Sequence, residues 1–119
     1  VRFRDLIVTG EIEPVVAGHF SFEVRSALVR AARRSRIAWE SVADRVRAIE
    51  ALEPEVHPLL GDDELLLALS RQLRVSWADA HWIGLAATLD LPLVTADERM
   101  AANVPDSAAV VVSVSGIGA

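Results

Sequence analysis

Cysteine is absent from the 119 residues. That one absence removes disulfides, zinc–thiolate sites and thiol nucleophiles together, and it fits a reducing cytoplasm. Lysine is absent as well: all 12 basic residues are arginine, a bias of GC-rich codon usage that carries no chemistry of its own. No apolar run approaches the ~20 residues needed to span a bilayer, so the sequence predicts no membrane protein. No basic start, apolar centre and small-residue cleavage site opens the chain as a signal peptide does. A glycine-rich phosphate loop is also missing, since Gly116-Ile117-Gly118 stands in the tail. Nucleotide-cofactor readings lose their main support with it.

What is present describes a globular domain. Hydrophobic residues make up 52% of the chain and charged residues 24%, a balance that buries a core. The net charge of −5 argues against a nucleic-acid binder working by bulk charge. It leaves room for an enzyme that meets nucleic acid through a local acidic site. The length fits one domain over 1–119, with Ser115 to Ala119 as a glycine-rich, frayed tail.

Helical and strand patterns alternate. Phe3, Leu6 and Ile7 have helical spacing, stopped at Thr9-Gly10. Ile12 to Ala17 reads as a short strand containing Pro14. A helix follows from Phe20 to Arg36, with Phe20, Val24, Ala27, Leu28 and Ala31 on one stripe and five arginines mostly opposite. A second runs from Ser41, its cap, to Glu53, where Pro54 ends it. Glu55 to His57 is a brief strand. Asp62 caps a helix to Leu73 and Ser76 caps one over Trp77 to Leu89, with Asp63 and Glu64 at the positive end of the former. Leu91 to Thr95 is a strand, Asp97 to Ala102 a short helix, and Ala108 to Val114 a last strand buried on both faces. Helices alternating with short apolar strands predict an α/β fold with a parallel sheet.

Three carboxylates stand where carboxylates are costly. Glu23 lies at the edge of the apolar stripe of its helix, and Asp79 at the edge of the stripe Ala78, Trp82, Leu85, Ala86 and Leu89. Asp97 follows directly on the strand Leu93-Val94-Thr95, at the carboxyl end where parallel sheets place ligands. Three carboxylates converging without a basic partner form a hard-oxygen site suited to Mg²⁺ or Mn²⁺. Each also has a plainer explanation. Asp97 caps the helix after it, Asp79 completes a capping box with Ser76, and Glu23 is favoured by its helix dipole.

Local context separates these possibilities. Phe22-Glu23-Val24-Arg25-Ser26-Ala27-Leu28, Ser76-Trp77-Ala78-Asp79-Ala80-His81-Trp82-Ile83-Gly84-Leu85-Ala86 and Leu91-Pro92-Leu93-Val94-Thr95-Ala96-Asp97-Glu98-Arg99-Met100 stand in an order that resembles the PIN-domain family. The resemblance is strongest to the VapC-like ribonuclease toxins of toxin–antitoxin pairs. It covers about residues 1 to 114. It implies a three-layer α/β fold with a central parallel sheet flanked by helices. It further implies a divalent-metal endoribonuclease in which Glu23, Asp79 and Asp97 hold Mg²⁺ or Mn²⁺, and Thr95 supplies a neighbouring hydroxyl. Its partners would be an RNA substrate, a cognate antitoxin and a second copy of the chain, in the cytoplasm.

Two departures accompany the resemblance. Trp82 stands where the family commonly has tyrosine. The family's first acid, at the end of an N-terminal strand, has no counterpart, because Asp5 precedes its apolar neighbours within a helical pattern. The expectation is therefore a functional polypeptide that is longer at its N-terminus, or another chain that supplies the strand and its aspartate. The alternative is a non-catalytic PIN-like module that binds an antitoxin or a dimer partner. The other candidates read as structural. His19, His57 and His81 have no metal spacing and read as solvated or structural; the five arginines of residues 25–36 are able to grip phosphates, yet they face away from the apolar stripe as a solvated face does; Trp39, Trp77 and Trp82 read as core or dimer interface rather than base-stacking platforms.

Overall fold

The computed structural model describes residues 3–114; the tail expected at Ser115 to Ala119 lies outside the described residues. Among the described residues the architecture is mixed α/β, with six α-helices and four short strands paired in parallel. The chain divides into two compact units, Ile7–Pro58 and Leu59 onward, the latter joined by the residues before Ile7. Helix α1 (Phe3–Val8) ends as its sequence expects: the Gly10 N–H donates to the Ile7 carbonyl at 3.1 Å, with Gly10 at φ +80°.

In the unit Ile7–Pro58, strand β1 (Val15–Ala17) begins just after Pro14, whose missing N–H cannot join a ladder. It pairs in parallel with β2 (Glu55–His57), Val16 opposite Val56. Parallel pairing requires a crossover, which α2 (Phe20–Arg33), a 3₁₀ turn (Trp39–Ser41) and α3 (Val42–Glu50) supply. Val16, Ala17, Ala32 and Val46 are buried here.

Four features of this unit differ from the sequence reading: β1 starts at Val15 rather than Ile12, α3 ends at Glu50 rather than Glu53, and the end of α2 and the role of Ser41 also change. Helix α2 stops at Arg33 rather than Arg36 because Ser35 turns left-handed, at φ 58°. The N–H groups of Ser35 and Arg36 then donate back to the carbonyls of Ala32 and Ala31, at 3.0 and 2.9 Å. That arrangement satisfies carbonyls left open at a helix end. Ser41 is not a side-chain cap. It already lies in the 3₁₀ turn, and its hydroxyl donates to the Ala38 carbonyl at 2.8 Å.

In the unit from Leu59 onward, α4 (Asp63–Leu73) packs against α5 (Trp77–Leu89). Both caps are as expected: Asp62 accepts from the Leu65 N–H at 3.1 Å and the Ser76 hydroxyl from the Asp79 N–H at 3.1 Å. Gly84 lets the helices approach. A Cβ there would stand 3.2 Å from a methyl of Leu60 and of Leu66, closer than side chains normally pack. Strand β3 (Leu93–Thr95), helix α6 (Glu98–Asn103) and strand β4 (Val111–Ser113) complete the unit, with Thr95 opposite Ser113 in a parallel ladder. Ile83, Ala86, Val104 and Ala109 form its core, with Leu69, Leu73, Leu93, Met100 and Val111 against them.

The last strand is shorter and wetter than its β-branched sequence implies: β4 is half-buried and Val110 is exposed. Among the described residues the ladders join β1 to β2 and β3 to β4, not one continuous central sheet, and no strand precedes β1. Among the described residues no helix is long and apolar enough to cross a membrane.

Candidate functional site

Thr95 and Asp97 are brought together at the carboxyl end of β3. The Asp97 N–H donates to Thr95 Oγ1 at 3.0 Å. Asp97 Oδ1 in turn accepts from the N–H groups of Arg99 and Met100, at 3.0 and 3.2 Å. Asp97 is thus the N-cap of α6, the plainer of the two roles its position allowed, and its side chain still reaches solvent. A charge at this place is electrostatically comfortable, because the first turn of a helix presents unpaired N–H groups.

Beside the end of the β3–β4 ladder, the Ser113 hydroxyl donates to Glu98 Oε1 at 2.5 Å. This contact ties the first residue of α6 to the end of β4. Sequence reasoning missed both residues. Finding them needs the strand register, since Glu98 and Ser113 are fifteen positions apart with no local pattern between them.

Asp79 lies in the first turn of α5, half-buried, with its backbone N–H on the Ser76 hydroxyl. Two residues on, His81 is buried and accepts the Leu60 N–H at Nε2, 3.1 Å away. An acceptor Nε2 means that the ring proton is on Nδ1. His81 therefore has the structural role expected of it, pinning the segment before α4 to α5. Trp77 meets the His81 ring edge-on at 5.9 Å and is itself partly exposed.

Glu23 belongs to the other unit. It lies in the first turn of α2, half-buried, with Oε1 3.0 Å from His19 Nε2. The same unit holds an apolar cleft of about 270 Å³ between α2, α3 and the strands, lined by Phe20, Val24, Val46, Ile49 and Val56. On its rim Arg25 is ion-paired with Glu50 at 2.7 Å.

The acids do not form a ready cation cage. Among the described residues no group of three or more His, Cys, Asp or Glu could hold a metal ion. Carboxylate oxygens are the right donors for Mg²⁺ or Mn²⁺, but the grouping such an ion needs is not found among them.

Asp97 permits a clean separation of cap from charge. Asp97→Ala should cost about 0.5–2 kcal/mol of stability through loss of the cap, whereas Asp97→Asn, an equally good cap, should cost a few tenths. Thermal unfolding of the two variants beside the parent chain checks this; equal losses would mean that the cap contributes nothing.

No family model matches the chain, and no curated protein matches it. Among solved structures the chain is similar to PAE2754 from Pyrobaculum aerophilum, known from its crystal structure. The two are 20% identical with a TM-score of 0.71, over 87% of this chain and 73% of that one. At that identity the likeness is one of fold.

Proposed function

We propose that the chain is a PIN-like, three-layer domain that hydrolyses RNA phosphodiester bonds, in the manner of a VapC-like toxin. The observation that carries this reading is the Thr95–Asp97 turn at the carboxyl end of β3. Carboxyl ends of parallel strands are where open α/β sheets place their ligands. Glu23 in the helix that follows β1, and Asp79 in the first turn of α5, are its other acids. Mg²⁺ or Mn²⁺ is the cofactor of this reading. The described residues do not group into a cage for it, and the metal dependence of cleavage is what the test below reads. Asp97 orders the start of α6 and holds the Thr95 hydroxyl beside it, which fixes a carboxylate and a hydroxyl at one strand end. RNA, an antitoxin protein, a second copy of the chain and the cytoplasm complete the proposal.

A second reading, a non-catalytic PIN-like module for an antitoxin or dimer partner, is favoured by two observations. Asp97 and Glu23 already contact groups of their own chain, and an apolar cleft is open in the unit that holds Glu23. Incubating the full chain with labelled single-stranded RNA separates the two. Cleavage in Mg²⁺ or Mn²⁺ that EDTA stops is the expected result. RNA left intact in both metals would discard the hydrolase in favour of the binding module.

A further inference from the structure

We propose that the C-terminal end of α2 and the turn after it form a docking surface for single-stranded RNA, with Arg30, Arg33, Arg34 and Arg36 on phosphates and Trp39 beneath a base. The proposal rests on the reading of the chain as an RNA hydrolase and places where that substrate is gripped.

Local charge is the first support. Residues 30–36 read Arg-Ala-Ala-Arg-Arg-Ser-Arg, four cations and no acid, in a chain whose net charge is −5. Arg30 and Arg33 stand three apart, as neighbours on the surface of α2, and Arg34 follows as its C-cap. All four arginines are exposed, and none of them is ion-paired with any described residue. Two other arginines of this unit are ion-paired, Arg25 with Glu50 and Arg47 with Asp44, and a third, Arg45, donates to the Ser41 hydroxyl at 3.3 Å. A cluster left uncompensated within an acidic chain is an anion-binding surface, and guanidinium groups suit phosphate in particular.

The turn after α2 adds an aromatic. Trp39 is 56% exposed, so it is not the core residue its size suggests. With Ser35, Arg36, Ile37 and Glu40 it lines a shallow depression beside the arginines. A cationic track next to an exposed indole is the arrangement that holds single strands, phosphates on arginine and a base stacked on the ring. Glu40 is the acid lining the depression; it is outnumbered by the four cations.

Helix stabilisation alone does not explain this pattern. Cations in a last turn complement the helix dipole, which covers Arg30 and Arg33. Arg34 and Arg36 lie beyond the last helical residue. The carbonyls of Ala31 and Ala32 there are already taken by backbone N–H groups. Neither fact accounts for an exposed tryptophan.

The test is fluorescence anisotropy of a labelled single-stranded oligoribonucleotide of about ten nucleotides with the full chain, in EDTA to prevent cleavage, across a KCl series. The triple variant Arg33→Ala/Arg34→Ala/Arg36→Ala should bind at least about tenfold more weakly. Its plot of log affinity against log salt should be shallower by about two, close to 0.7 for each phosphate no longer neutralised. The triple lysine variant should keep the parental slope. Trp39→Ala should weaken binding at least about fivefold and leave the slope unchanged. Circular dichroism melts confirm that each variant is folded. Parental affinity in the alanine variant would overturn the patch while leaving the hydrolase reading to be decided by cleavage. Absence of RNA binding by the parent chain would also overturn it. Displacement of the RNA by poly-glutamate as readily as by unlabelled RNA would make the surface one for acidic polypeptides, and would overturn it too.

Discussion

Asp79→Asn should lower the rate of RNA cleavage by on the order of a hundredfold or more, the contribution typical of a working carboxylate. The substitution keeps the shape of the side chain and removes its charge. The helix cap at this position is made by the Asp79 backbone N–H on Ser76, which asparagine retains. Loss of a favourable charge in the first turn of α5 should cost no more than about 1 kcal/mol. The measurement is a cleavage time course beside a thermal melt. Parental cleavage by a folded Asp79→Asn variant would remove Asp79 from the chemistry. Activity lost together with the fold would instead make the residue structural.

Ile83→Ala should destabilise the protein by about 2–5 kcal/mol, a large share of the roughly 5–15 kcal/mol that holds a domain folded. Ile83 is fully buried at the centre of the cluster with Ala86, Val104 and Ala109. Its neighbours belong to helices and a ladder that cannot all collapse onto the gap, so the cavity term adds to the lost transfer energy. Chemical unfolding monitored by circular dichroism gives the value. A loss below about 1 kcal/mol would mean that this cluster is not the core of its unit.

Much of the element order was legible because it depends on short-range rules. Asp62, Ser76 and Gly10 marked helix ends by capping and turn chemistry, and each does so in the structure. Burial was harder. Helix α5 is apolar nearly all round, so a stripe through Ala78, Trp82, Leu85, Ala86 and Leu89 was one choice among several. The residues buried are Ala80, His81, Ile83, Gly84, Leu85 and Ala86, while Trp82 is half-buried. A helix without a polar face gives periodicity nothing to detect. The end of α2 was misplaced because nothing in Arg34-Ser35-Arg36 signals a left-handed residue; a serine there does what glycine usually does.

The candidate site divides in the same way. Asp97 was found because it follows an apolar strand, and both its cap and its nearness to Thr95 were within reach of local reasoning. The Ser113–Glu98 contact was not, because it depends on pairing between strands far apart in the chain. The cationic turn at residues 30–36 was visible as composition. Its exposed Trp39 was not, since a large aromatic is by default assigned to the interior.

The most direct test of the account uses Asp97→Asn, because asparagine preserves the cap of α6 and leaves the charge as the variable. Cleavage of labelled single-stranded RNA by the parent chain and by Asp97→Asn would be followed under single-turnover conditions in Mg²⁺, with melting curves recorded in parallel. The account predicts unchanged melting within a few tenths of a kcal/mol and a cleavage rate reduced on the order of a hundredfold or more. Equal rates for the two proteins would contradict it, leaving Asp97 a helix cap and nothing else.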